Sequence, residues 1–100
     1  MVNRSYRKGY RFEKTVQKWF EEQGFFVIRQ GKSRFPDLIA IPPAGAVAVY
    51  PRFIECKYNK MPRKDEIERM RELSERYKVV CGFAIKKKGK KGFEIKWAGE

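Results

Sequence analysis

Two apolar stretches that carry acidic residues constrain this chain more than any other feature. The first is Asp37-Leu38-Ile39-Ala40-Ile41, entered through Ser33-Arg34-Phe35-Pro36; the second is Phe53-Ile54-Glu55-Cys56-Lys57. Both read as strands. Side chains alternate faces along a strand, so Glu55 and Lys57 share one face and Ile54 and Cys56 the other. If the two strands are neighbours, Asp37 and Glu55 meet, with Lys57 beside them. Converging carboxylates make a hard-oxygen site suited to Mg²⁺, with Mn²⁺ as the alternative ion. A lysine next to that ion can stabilise charge on a reacting phosphate or hold a water. The competing structural reading makes Asp37 a turn cap and Glu55 and Lys57 a solvated face. It leaves unexplained why Asp37 opens an apolar strand.

With 100 residues, the chain is expected to be one domain, 1–100, burying somewhat over ~60% of its unfolded surface. Apolar residues make up 42% and aromatics 15%, enough for a folded core rather than disorder. Lys and Arg number 24 against 12 acids, a net charge of +12. That excess implies a polyanionic partner, most simply nucleic acid. No apolar run approaches the ~20 residues of a membrane span, and the basic start lacks the apolar segment of a signal peptide. The expectation is no membrane partner and an intracellular, cytoplasmic location with DNA. There is no histidine, which removes imidazole acid–base chemistry. Cys56 and Cys81 both fall in apolar runs and read as free buried thiols, with a disulfide as the alternative; a zinc site is excluded in practice.

Residues 1–8 read as a short basic arm, flexible alone and ordered on DNA. A helix is predicted from near Gly9 to Gln23, ended by Gly24. Phe12, Val16, Trp19 and Phe20 form its apolar stripe. Glu13 lies at the margin of that stripe, positioned to look toward a sheet edge; the plainer reading is a surface acid beside Arg11 and Lys14. Strands are predicted at 25–29, 37–41, 46–50 continuing as 52–58 past Pro51, 79–85 and 93–97. Pro51 should mark a bulge or an unpaired position. Pro42-Pro43-Ala44-Gly45 is a loop, and Lys86-Lys87-Lys88-Gly89-Lys90-Lys91 a cationic hairpin tip. A second helix spans roughly 62–77 with Pro62 at its start and Ile67, Met70, Leu73 and Tyr77 buried. Its early acids, Asp65, Glu66 and Glu68, and its late cations suit the helix dipole and solvation. The order is αβββαββ, an α+β or α/β fold with a mixed central sheet flanked by helices.

Pro36-Asp37 followed by Glu55-Cys56-Lys57 resembles the signature of the PD-(D/E)xK nuclease superfamily, whose fold is restriction-endonuclease-like. Over nearly its whole length the chain is similar to the archaeal-type Holliday junction resolvases, which are found in cells and in archaeal viruses. Arg7-Lys8-Gly9 leads to the helical acid Glu13. Val27-Ile28-Arg29 closes the first strand, and Gly31-Lys32-Ser33, Asp37-Leu38-Ile39-Ala40 and Ile54-Glu55-Cys56-Lys57 follow in order.

The resemblance implies a structure-specific endodeoxyribonuclease that cuts four-way junctions with Mg²⁺ and works as a homodimer. It implies Asp37 and Glu55 as the paired metal acids, Glu13 as the helical glutamate, Lys57 as the catalytic lysine, and Ser33 as the serine that precedes the Asp. The expected mechanism binds Mg²⁺ through Asp37, Glu55 and the Cys56 carbonyl, with Glu13 on the ion directly, through water or at a second metal position, and Ser33 near the scissile phosphate. Arg29 is carried over as the arginine ending the first strand. Arg4, Arg7, Lys8, Arg29, Lys32, Arg34, Lys60, Arg63 and Lys64 are the candidate phosphate contacts. Exposed apolar candidates for a dimer patch are Phe83, Phe93 and Trp97, each of which also reads as core. Two alternatives remain at this point. One is a related endonuclease acting on duplex or nicked DNA; the other is a DNA-binding protein without enzymatic activity. The Pro42–Pro51 segment and the Lys86–Lys91 tip depart from the family pattern.

Overall fold

The structure, a computed structural model, describes residues 4–31 and 34–98 and the side chains from Arg7 onward. Its elements are α1 (Arg4–Glu22), β1 (Phe26–Arg29), β2 (Leu38–Ile41), β3 (Arg52–Tyr58), α2 (Lys64–Arg76), β4 (Val80–Lys86) and β5 (Glu94–Trp97). This is the anticipated αβββαββ order. The five strands form one sheet in the order β1-β2-β3-β4-β5. The β3–β4 pair is parallel and the other three pairs are antiparallel. A parallel pair needs a crossover, and α2 supplies it.

The period of each element decides which face it buries. Along α1, Phe12, Val16 and Phe20 are buried and pack on Leu38, Ala40, Ile54 and Ala84. Trp19, expected in the same stripe, is 41% exposed. It flanks the core instead, edge-on to Phe20 at 4.9 Å and Phe93 at 5.7 Å. The helix ends at Gly24, whose φ of +93° costs a glycine little; Phe25 N–H closes the turn on the Phe20 carbonyl at 3.1 Å. On the opposite face of the sheet, Met70 of α2 packs with Cys81, Phe83 and Ile85. The sheet therefore separates two cores, one under each helix. Both cysteines are free.

Several local expectations are corrected. Arg4–Lys8, assigned to a flexible arm, form the first turns of α1; Arg and Lys are good helix formers and nothing in that run stops a helix. Residues 46–50 are not a strand, and Val47 and Val49 are exposed. The reason lies in the register. Ala40 pairs with Arg52, so the next rungs would fall on Pro51, Pro42 and Pro43, none of which has an N–H to give. Helix α2 begins at Lys64, two residues beyond Pro62, and Tyr77 is its exposed C-cap rather than part of the buried stripe. Phe83 is core, and Phe93 and Trp97 pack against the α1-side core. Phe83 is closed off, whereas Phe93 and Trp97 are half-buried and line an open apolar groove with Trp19 and Ile95.

Candidate active site

Leu38 pairs with Ile54 across the β2–β3 ladder. One step further along that register sets Asp37 opposite Glu55. The two residues grip each other's strand through main-chain amides. Cys56 N–H donates to Asp37 Oδ2 at 2.8 Å, and Asp37 N–H donates to Glu55 Oε1 at 3.0 Å. The loop before Asp37 is tied as well: Gln30 N–H reaches the Asp37 carbonyl at 2.9 Å, and Gln30 Nε2 reaches the Pro36 carbonyl at 2.7 Å. Burial raises the pKa of both acids, and their mutual repulsion pushes Glu55 up to about 8. Such a couple keeps a proton near neutral pH, because the protein itself supplies too little positive charge to hold both carboxylates ionised.

Lys57 lies on the same face as Glu55, as the alternation requires. Its ammonium makes no ion pair with Asp37 or Glu55 among the described residues, although its charge acts on both. It meets Glu66 Oε2 at 2.6 Å. The other oxygen, Glu66 Oε1, accepts from Arg63 N–H at 2.9 Å, closing the first turn of α2. Although burial pushes the Glu66 carboxyl upward, the Arg63 amide and the Lys57 ammonium hold it below the ordinary value. Glu66 is buried, whereas the sequence reading assigned it to solvation with Asp65 and Glu68. A signal was present. Glu66 is in phase with Met70 and Leu73, at i, i+4 and i+7, so it shares their inward stripe.

Glu13 sits under the sheet, half-buried. Its Oε1 lies 3.6 Å from Arg29 Nε, and the Arg29 guanidinium stacks on the Tyr10 ring at 4.5 Å. Burial, then the nearby charge of Asp37, raises the Glu13 pKa. Glu13 therefore feels the acid couple without joining it. Among the described residues, no three acid or thiol groups converge closely enough to hold an ion as they stand.

A cleft of about 300 Å³ opens on Asp37, Glu55 and Glu66, rimmed by Arg34, Arg63 and Arg69. Arg69, absent from the sequence-based set, stacks on Phe35 at 4.6 Å and makes no ion pair among the described residues. Arg63 is less free, because it pairs with Asp65 at 3.1 Å. A second basin of about 370 Å³ gathers Lys8, Lys57, Lys60 and Lys88, and the Asn59 N–H to Lys86 carbonyl bond at 2.7 Å pins the cationic tip beside it. Arg7 and Lys64 are exposed. Arg29 is engaged inside the protein with Glu13 and Tyr10. Lys32, Ser33 and the side chain of Arg4 lie outside the described residues.

The mixed sheet, with an acid entering one strand and Glu-x-Lys on the next, defines a restriction-endonuclease-like fold. A solved structure of Archaeoglobus fulgidus Hjc, a Holliday junction resolvase from an archaeal hyperthermophile, superposes with a TM-score of 0.67 at 23% identity. The match covers 91% of this chain and 73% of that one. The family model described as archaeal Holliday junction resolvase (Hjc) matches residues 4–98. The crossover junction endodeoxyribonuclease Hjc of Methanocaldococcus jannaschii is 34% identical over 92 residues, covering 88% of this chain and 65% of that protein. This chain thus spans just under two thirds of the length of that relative. It belongs to the archaeal Holliday junction resolvase family.

Proposed function

We propose that the chain is a divalent-metal-dependent endodeoxyribonuclease that resolves four-way DNA junctions as a homodimer. One observation carries this reading: Asp37 and Glu55 interlock across β2 and β3, with a lysine on the same sheet face. The raised pKa values of the two acids are what a cation-binding couple shows before it meets its cation. The donor set is all oxygen and fits Mg²⁺ or Mn²⁺. Asp37 and Glu55 would hold the ion. The N–H and C=O of one strand residue face the same neighbour, so the Cys56 carbonyl, beside the amide that grips Asp37, would be a third ligand. Glu13 would act through water or a second ion. A bound ion would acidify a water and offset phosphate charge.

The chain's own groups do the rest. Arg34 and Arg69 flank the cleft and would seat the scissile phosphate; Ser33, which precedes Arg34 in sequence and lies outside the described residues, would contribute a hydroxyl. Lys57 would face the charge that builds as a water oxygen bonds to phosphorus and the P–O bond to one sugar breaks. The products are a phosphate monoester and a free hydroxyl. Lys8, Lys60 and Lys64, with the first turns of α1, would follow the backbone of the junction arms. A two-fold homodimer would match a junction's two-fold symmetry and offer two such sites. A non-enzymatic binder gains nothing from acids on a DNA-facing cleft, because they repel phosphate.

The test is cleavage of a labelled four-way junction, a matched duplex and a flap, each with Mg²⁺, with Mn²⁺ and with EDTA. Junction cutting that needs the ion, and that falls roughly 100-fold or more in Asp37→Asn while junction binding is retained or tightened, is the expected result. Preferred cutting of the duplex or flap would move the reading to another nuclease of the same fold. Wild-type rates from Asp37→Asn would remove the site.

A further inference from the structure

Among the described residues Glu66 is the one buried charged side chain, 7% exposed, although its neighbours Asp65 and Glu68 face solvent. Both of its oxygens are committed. Oε1 is fixed to the Arg63 amide at 2.9 Å, and Oε2 takes the Lys57 ammonium at 2.6 Å. The lysine end is equally enclosed, with its side chain 14% exposed. Burying such a pair returns little net stability, because desolvation of two charges offsets their attraction. Its value therefore lies in where it holds the amine. Without Glu66, the nearest carboxylate on the same strand face is Glu55, two residues back, with Asp37 across the ladder. An ammonium drawn there would fill the place of the cation. The α2 N-terminus thus anchors an acid that draws Lys57 away from Asp37 and Glu55.

We propose that Glu66 is a positioning residue that fixes the Lys57 ammonium beside the Asp37–Glu55 couple and keeps it off those two acids. This rests on the nuclease reading above. It adds a residue from a different element, α2, to a set otherwise drawn from α1, β2 and β3.

The experiment compares Glu66→Gln with the wild-type chain in two ways. The first needs no ion and no DNA: a ¹H–¹⁵N correlation spectrum of lysine ammonium groups, with Lys57→Met assigning the signal. A shielded, ion-paired ammonium exchanges slowly enough to be seen, and Glu66→Gln should shift or erase the Lys57 peak. The second is junction cleavage, in which kcat should fall about 100-fold, the effect of a roughly 1 Å misplacement. The dissociation constant for the junction in EDTA should be unchanged or slightly tighter. Glu66→Asp, which keeps the charge on a shorter arm, should recover part of the rate, and it serves for both readouts if Glu66→Gln does not fold. An unchanged Lys57 signal overturns the proposal. So does a full kcat in a variant that has lost the signal, and so does a variant that only melts earlier while its folded fraction turns over normally. If the wild-type chain cuts nothing, the nuclease reading fails and takes the catalytic half of the inference with it, while the spectrum still shows whether Glu66 holds Lys57.

Discussion

Glu55 is half-buried as an acid, at a cost to the fold. Its carboxyl shifts from 4.5 to about 8, first through burial and then through Asp37. The folded chain therefore holds a proton that the unfolded chain releases, and stability falls as pH rises between those values. Asp37, shifted the same way, adds to that slope. Glu66 is shifted downward; it is ionised in both states over this window and its contribution is lost only in acid. The ion-free melting temperature should therefore decline from pH 5 to pH 8. If Mg²⁺ binds the deprotonated couple as proposed, it should raise the melting temperature more at pH 8 than at pH 5. Calorimetry at the two pH values, with and without Mg²⁺, checks this; equal stabilisation at both would count against Glu55 as a ligand. The meeting of Asp37, Glu55 and Lys57 was readable because a period of two fixes which side chains share a face. Glu66 was not, because acids in a first helical turn already have an explanation in the helix dipole. The Glu13–Arg29–Tyr10 stack depends on the distance between α1 and β1, which no local pattern encodes.

All seven elements were legible, since their periods and end signals agree. The error at 46–50 has a different origin. Ala46-Val47-Ala48-Val49-Tyr50 is a good strand sequence alone, and only the pairing partner rules it out. Prolines on both sides of the hairpin must be read against each other across the register before the failure shows. Close contact between elements was equally hidden. Gly82 pairs with Trp97, and a Cβ placed on Gly82 would stand 2.6 Å from Trp97 Cε3. Gly82→Ala should therefore push the indole off the sheet at a cost of about 1–3 kcal/mol. For a domain of this size that is a drop of several degrees in melting temperature, roughly 4–8 °C per kcal/mol. A thermal melt within one degree of wild type would show that the ring relaxes freely.

At the scale of the whole molecule the two faces of the sheet are covered unequally. Helix α1 lies over β1, β2 and β3, while α2 lies over β4. On the α2 side the ladder pairs Phe26 with Ile41 and Ile28 with Ile39, and Phe26, Ile28 and Ile41 are exposed, Phe26 by 68%. This apolar strip at the β1 edge is, beside the groove of Trp19, Phe93 and Trp97, a second surface that another copy could cover in the proposed homodimer. If the strip is the interface, Phe26→Lys should give a monomer by sedimentation equilibrium, with little change in melting temperature because the side chain is already outside. A dimer that survives the change would place the interface elsewhere. The grip on the three acids has a different kind of consequence. Asp37, Glu55 and Glu66 are each held by a peptide N–H, those of Cys56, Asp37 and Arg63. Every amino acid but proline brings that group with it. A change at exposed Arg63 can therefore alter size or charge and leave the amide that holds Glu66 in place, whereas at Cys56 the replacement must also fit the α1-side core against which that side chain packs.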